Sequence, residues 1–179
     1  MLYVALLRGI NIGGHNKIDM KRLKITFENL GLTWVKTYIN SGNVIFDSNT
    51  SSTTPLTSQI EKAISADFGL DIKVLIRSKK QINQIVENLP TNWTNDTDCK
   101  CDIMFLWPNS DNPQIIKDLN PISGIDNLKY LSGAVIWQID RQNINKSGLA
   151  KLAGTKLYKE MTIRNCNTVR KINELFKQN

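Results

Sequence analysis

Leu2-Tyr3-Val4-Ala5-Leu6-Leu7-Arg8-Gly9-Ile10-Asn11-Ile12-Gly13-Gly14-His15-Asn16-Lys17-Ile18-Asp19-Met20 opens the chain and decides its fold. Six apolar residues in a row, stopped by Arg8, read as a buried strand. Three glycines between Arg8 and Ile18 make a loop. Asp19 is placed to cap a helix from Met20 to Leu30, whose apolar stripe is Leu23, Phe27 and Leu30 and whose C′ residue is Gly31. Next, Thr33–Asn40 and Asn43–Ser48 alternate toward strand about the Ser41-Gly42 turn, which predicts a hairpin. After the polar run Asn49–Thr54, Thr54 caps a second helix with Pro55 at its first position. Its inward face is Leu56, Ile60, Ala63, Ile64 and Phe68, and Gly69 ends it. Asp71–Arg77 reads as a fourth strand. The order is βαββαβ, that of a ferredoxin-like fold.

The rest of the chain repeats this order. Ser78 caps a helix reaching Leu89, and residues 90–101 form a polar connection. Asp102–Trp107 reads as a strand and Pro113–Leu119 as a short helix. Leu128–Ser132 and Ala134–Asp140 form a hairpin about Gly133. A helix near Ser147–Ala153 follows, then a strand at Met161–Ile163. Asn167 caps a closing helix that runs to Lys177. The expectation is an α+β protein of two ferredoxin-like halves packed together, residues 1–78 and 79–179, with antiparallel sheets and helices on one face. No tandem sequence repeat is visible between the halves.

Composition bounds the function. The 179 residues are 41% hydrophobic and 22% charged, which excludes wholesale disorder, collagen-like and coiled-coil classes. No apolar run approaches the roughly 18 residues of a spanning helix, so no membrane role is expected. Leu2–Leu7 is too short for a signal peptide. Three sparse cysteines suggest reduced thiols and a cytoplasmic protein. A single histidine, His15, excludes a multi-histidine metal site, so no metal is expected. No cofactor motif is present. The net charge is +7 and sits at the ends: +3 over residues 1–48, −2 over 49–139 and +6 over 140–179. Ends brought together would make one basic surface.

Three clusters carry chemistry. The first is the opening loop. Its glycines free backbone amides, Arg8 and Lys17 add cations, and a helix N-terminus favours anions. These are the parts of a phosphate or carboxylate cradle, although the spacing matches neither the P-loop nor G-x-G-x-x-G. The second is the turn Tyr38–Asn43. In a βαββαβ sheet the ends of the first two strands lie at one edge, which sets the loop beside the turn. Tyr38, Ser41 and Asn43 then join Arg8, Asn11, Asn16 and Lys17 as candidate ligand-binding residues. Turn chemistry alone also accounts for Ser41-Gly42-Asn43. The third is Thr162–Thr168, where Arg164 and Asn165 precede the last helix.

Together these clusters resemble domain-of-unknown-function family 1697. The carriers are Tyr3–Gly14 with Asn16, Lys17 and Met20; Thr37-Tyr38, Ser41–Val44 and Phe46; and Thr162, Arg164, Asn165 and Thr168. The resemblance implies a bacterial α/β protein of two ferredoxin-like halves and no established activity. It singles out Arg8, Asn11, Lys17, Tyr38, Ser41, Asn43, Arg164 and Asn165.

Four functions compete. The favoured one is binding of an anionic ligand, a nucleotide or a nucleic-acid phosphate. The second is RNA binding on a sheet face through Tyr3 and Phe46, because Leu2–Leu7 resembles the first strand of RNA-recognition domains. The third is an enzyme whose catalytic residues are unknown, Ser41 activated by Lys17 being one arrangement. The fourth is a structural or interaction domain, with the polar residues forming buried hydrogen-bond networks that lock the two halves together. Ligand identity and oligomeric state are not written in the sequence.

Overall fold

The structure, a computed structural model, describes residues 1–178. Its contacts group Met1–Ile82 with the C-terminal residues from Glu174 into one unit, and Asn83–Asn173 into another.

The first unit is built on strands β1 (Leu2–Leu7), β2 (Thr33–Tyr38), β3 (Asn43–Asp47) and β4 (Val74–Ser78), with helices α1 (Met20–Asn29) and α2 (Thr53–Phe68). The sheet order is β2-β3-β1-β4 and every pair is antiparallel. That is the ferredoxin-like arrangement read from the sequence. Tyr3, Ala5 and Leu7 alternate onto one face, where Val44, Phe46, Val74 and Ile76 join them. Leu23 and Phe27 of α1 and Leu56, Ile60 and Ile64 of α2 close this core. Phe46 is central: its ring stacks on Tyr3 at 5.8 Å and meets the edge of Phe27 at 5.7 Å. Burying each such ring contributes about 1.5–3 kcal/mol. Val4, Leu6, Ile45 and Leu75, on the opposite face, are buried as well. That is why β1 reads as continuously apolar rather than alternating.

The second unit uses β5 (Cys99–Leu106), β6 (Asn127–Leu131), β7 (Ala134–Asp140) and β8 (Met161–Asn165), in the order β6-β7-β5-β8 and again all antiparallel. The short helix α4 (Ile115–Asp118) packs Ile115 on Met104, Leu106, Val135 and Trp137. Helix α3 (Lys79–Glu87) follows β4, and α5 (Cys166–Leu175) follows β8.

The ends of several elements differ from the sequence reading. Helix α2 starts at Thr53 after Ser52, so Pro55 is its third residue and Thr54 is not the cap. No helix forms over Ser147–Ala153. Residues 141–160 instead make short 3-10 turns, Arg141–Lys146, Leu152–Gly154 and Leu157–Glu160. The cap of α5 is Asn165, whose Oδ1 accepts from the Thr168 amide at 2.8 Å, and Asn167 lies inside the helix. Strand β8 passes into α5 with no loop, so the cap falls two residues early.

A short internal correspondence then emerges. Ile76-Arg77-Ser78 ends β4 and Ile163-Arg164-Asn165 ends β8, each feeding directly into a helix. Ser78 Oγ accepts from the Gln81 amide at 3.3 Å, as Asn165 does from Thr168. Both arginines are buried.

Candidate functional site

The opening loop is a miniature hairpin. The Asn11 amide donates to Asn16 O at 3.1 Å, and the His15 amide donates to Ile12 O at 2.9 Å. Gly13 and Gly14 between them have φ of 57° and 82°, the signature of a type I′ turn. Asn16 Nδ2 reaches back to Gly9 O at 2.9 Å.

Asn11 ties this hairpin to the rest of the unit. Its Nδ2 donates to Ile18 O at 3.1 Å and to Asn40 O at 2.9 Å, and its Oδ1 accepts from the Ile18 amide at 2.9 Å. The loop after β1 and the turn after β2 are therefore neighbours, as the sheet topology requires. The Leu7 amide donates to Gly42 O at 2.8 Å and joins them a second time.

Between loop and turn lies a groove of about 500 Å³, lined by Asn11, Gly14, Lys17, Ile18, Asp19, Met20, Lys21 and Asn40. Lys17 and Lys21 supply two cations, and Lys17 is exposed. The groove sits at the start of α1, where free amides favour negative charge. One of these amides is already used: Asp19 Oδ1 accepts from the Arg22 amide at 2.8 Å. An incoming anion therefore meets the lysines beside a carboxylate that caps its own helix.

The predicted site residues separate into groups. Asn11 and Lys17 line the groove. Asn16 folds back on the loop, and Arg8 is half-buried with its amide on Lys73 O at 2.9 Å. Asn43 is fully buried, and its Nδ2 donates to Tyr38 O at 3.1 Å and Ser41 Oγ at 3.0 Å. The Ser41 hydroxyl is thus held inside its own turn, and neither Tyr38, Ser41 nor Asn43 lines the groove of Lys17. Arg164 and Asn165 lie in the second unit. Arg164 is buried, its Nη1 donates to Thr162 Oγ1 at 3.1 Å and Ile163 O at 2.8 Å, and burial lowers its pKa to about 10. Gly14, Ile18, Asp19, Met20, Lys21 and Asn40 line the groove without having been among the candidate ligand-binding residues. Lys21 carried a usable signal, being four residues after Lys17 and in the first turn of α1.

The sheet-face reading of RNA binding is corrected. Tyr3 is 3% exposed and Phe46 is fully buried, both in the core against α1 and α2, and the Tyr3 hydroxyl donates to Thr50 O at 3.1 Å. Neither ring is presented to a base. Among the described residues, no His, Cys, Asp and Glu cluster is arranged to hold a metal ion, and no helix is long and apolar enough to cross a membrane.

No curated protein matches the chain. Among solved structures it is similar to the conserved bacterial protein SP0830 from Streptococcus pneumoniae, at 30% identity over 97% of each chain and a TM-score of 0.82. The model of a family described as "protein of unknown function", DUF1697, matches residues 1–137. That span holds the opening loop, the Tyr38–Asn43 turn and the whole groove, while Thr162–Thr168 lie beyond it. On this match the chain belongs to the DUF1697 family.

Proposed function

We propose that the protein binds an anionic ligand, a nucleotide or a nucleic-acid phosphate, in the groove between the opening loop and the β2–β3 turn. The observation that carries this reading is the pairing of Lys17 and Lys21 across a concave surface whose walls are fixed by Asn11. A volume of about 500 Å³ falls within the range of small-ligand sites. Asp19 narrows the choice. Any phosphate on the lysines meets this carboxylate, and a phosphomonoester offsets that by setting its uncharged body along Ile18 and Met20.

The rest of the predicted cluster favours a supporting role. Asn43 is buried and bonded within its turn, so it shapes the wall of the groove and does not touch the ligand.

The test is a thermal-shift panel at low salt containing nucleotides, sugar phosphates, dicarboxylates and short RNA and DNA. A ligand of the native state raises the melting temperature by mass action. The expected result is a rise with a phosphomonoester that disappears in Lys17→Glu, a change at an exposed position that leaves the unliganded melting temperature in place. A rise seen only with oligonucleotides, and fading steeply with salt, assigns the groove to a nucleic-acid backbone. A rise that Lys17→Glu leaves intact overturns the reading.

A further inference from the structure

All three cysteines of the chain, Cys99, Cys101 and Cys166, are free thiols in the second unit. Cys99 and Cys101 stand two residues apart on β5 and so share one face of the sheet. The β5–β8 ladder pairs Ile103 with Arg164 and Asp102 with Asn165. The next step outward sets Cys101 beside Cys166, the first residue of α5. The last ladder pair, Asp102 and Asn165, stands at the antiparallel spacing of about 4.5–5.5 Å between Cα atoms, within the span that a disulfide bridges, and Cys101 and Cys166 are the next residue of each chain. Each of the two thiols shifts the titration of the other.

The surroundings divide the labour between them. Cys166 begins a ten-residue helix, where the backbone amides favour a thiolate. Arg170 lies one turn on, with Nη1 3.6 Å from the Cys166 sulfur and Nη2 held by Pro90 O at 3.0 Å. The neighbouring Cys101 thiol, with Arg170 behind it, holds the Cys166 thiol below its usual range despite burial. Cys166 and burial together push the Cys101 thiol up. Asp102 opposes the thiolate, but its carboxylate is paired with Lys100 at 3.1 Å. One sulfur is thus prepared to attack, and its neighbour keeps a proton.

We propose that Cys166 and Cys101 form a redox-active dithiol that takes a small hydroperoxide as its oxidant. The Cys166 thiolate attacks the terminal peroxide oxygen, and the O–O bond breaks. The departing alkoxide, or hydroxide, takes the proton that Cys166 gave up, leaving Cys166 as a sulfenic acid. The Cys101 sulfur then attacks the Cys166 sulfur, the S–O bond breaks, and the hydroxyl leaves as water with the Cys101 proton. Two thiols and one hydroperoxide become one disulfide, one alcohol (or water) and one water.

Burial selects the oxidant. Cys101 and Cys166 have no exposed surface, whereas Cys99 is partly exposed. The segment from Pro90 to Asn95 is tied to α5 beside Cys166 by Arg170 Nη2 to Pro90 O and by Asn167 Nδ2 to Asn95 O at 2.9 Å. A water-sized peroxide passes with a local opening of this segment. A bulky aromatic disulfide reaches Cys99 alone.

The test is peptide mapping of the whole protein after hydrogen peroxide, alkylation and trypsin. Lys100 separates Cys99 from Cys101, so the three cysteines fall on three peptides. The expected product joins the peptide of Cys101 to that of Cys166 with the loss of two hydrogens, formed on the order of tenfold faster than any oxidation of Cys99. In Cys101→Ser a dimedone-type probe labels Cys166 as sulfenic acid, and in Cys166→Ser Cys101 stays a thiol. With Ellman's reagent the native protein is modified at Cys99 first. Recovery of Cys101 and Cys166 as thiols while Cys99 is oxidised overturns the proposal. So does a disulfide to Cys99, or a Cys166 that Ellman's reagent modifies as fast as peroxide does. If a variant fails to fold, the wild-type map alone decides.

Discussion

Gly42→Ala tests whether the loop and turn that frame the groove are held by close backbone approach. Gly42 has φ of 76°, and a β-carbon there would lie 2.7 Å from Leu7 Cβ and 2.9 Å from Ile10 Cδ1. The first contact is to a β-carbon fixed by strand β1, so it cannot be relieved by turning a side chain. The left-handed conformation costs alanine about 1 kcal/mol, and forcing the methyl into a filled corner costs a further 1–3 kcal/mol or so. The loss is therefore about 2–4 kcal/mol. Gly14→Ala is the control: its φ is 82°, but nothing lies within 4 Å of the added carbon. It carries the conformational cost alone, about 1 kcal/mol. Urea titrations of the two variants isolate the steric contribution. At about 2–4 °C per kcal/mol for a chain of this size, Gly42→Ala melts roughly 5–15 °C lower and Gly14→Ala a few degrees lower. Equal losses in the two variants would mean that the packing of Gly42 on Leu7 contributes nothing.

Asn11→Ala removes three hydrogen bonds that join the loop to Ile18 and Asn40 and leaves alanine at φ of 54°. It lowers stability by about 2–3 kcal/mol and also weakens phosphomonoester binding to the protein that remains folded, as paired titrations would show. Asp126→Asn tests the clamp of the second unit. Burial raises the Asp126 pKa, but the Ser147 hydroxyl, the Ile122 and Gly148 amides and the Trp137 indole outweigh it and hold the carboxyl below its usual range. A depressed carboxylate stabilises the fold above its unfolded pKa and loses that contribution as pH falls through the folded value. The variant is therefore less stable than wild type by about 2–4 kcal/mol at neutral pH, and the gap closes below about pH 4. Melting curves across pH check it, with Trp137 fluorescence as the local reporter.

Most of the first unit is legible in the sequence because its signals are redundant. Asp19 caps α1 through the Arg22 amide, and Gly31, at φ of 78°, stands just past its end. Each residue agrees with the apolar stripe between them. The second unit gives weaker signals. Over residues 141–160 the apolar positions Ile144, Leu149, Leu152 and Leu157 recur at intervals of five, three and five, which no helix face accommodates. What holds this segment is non-local: Asp126 gathers Ser147 and Gly148, and a β-carbon on Gly148 would lie 1.9 Å from Asn120 O. The correspondence of Ile76-Arg77-Ser78 with Ile163-Arg164-Asn165 is three residues long, too short to stand out before the sheets are aligned. For the site, topology placed loop and turn together, and Asn11 and Lys17 line the groove. On its other wall, Lys21 carried a signal in its spacing from Lys17, whereas Asn40 was not legible, because alone it reads as an ordinary turn residue. Asn43 reads as a polar ligand in sequence and becomes a buried turn residue, since side-chain direction in β3 depends on register.

The most direct measurement of the central claim is a residue-resolved nitrogen-15 NMR titration of the whole protein with a nucleoside monophosphate at low salt. Saturable amide shifts are expected at Asn11, Gly14, Lys17, Lys21 and Asn40, which line the groove, and they are lost in Lys17→Glu. Shifts that saturate elsewhere, such as over the basic residues 141–160, or a spectrum unchanged across every nucleoside monophosphate tried, would contradict the claim.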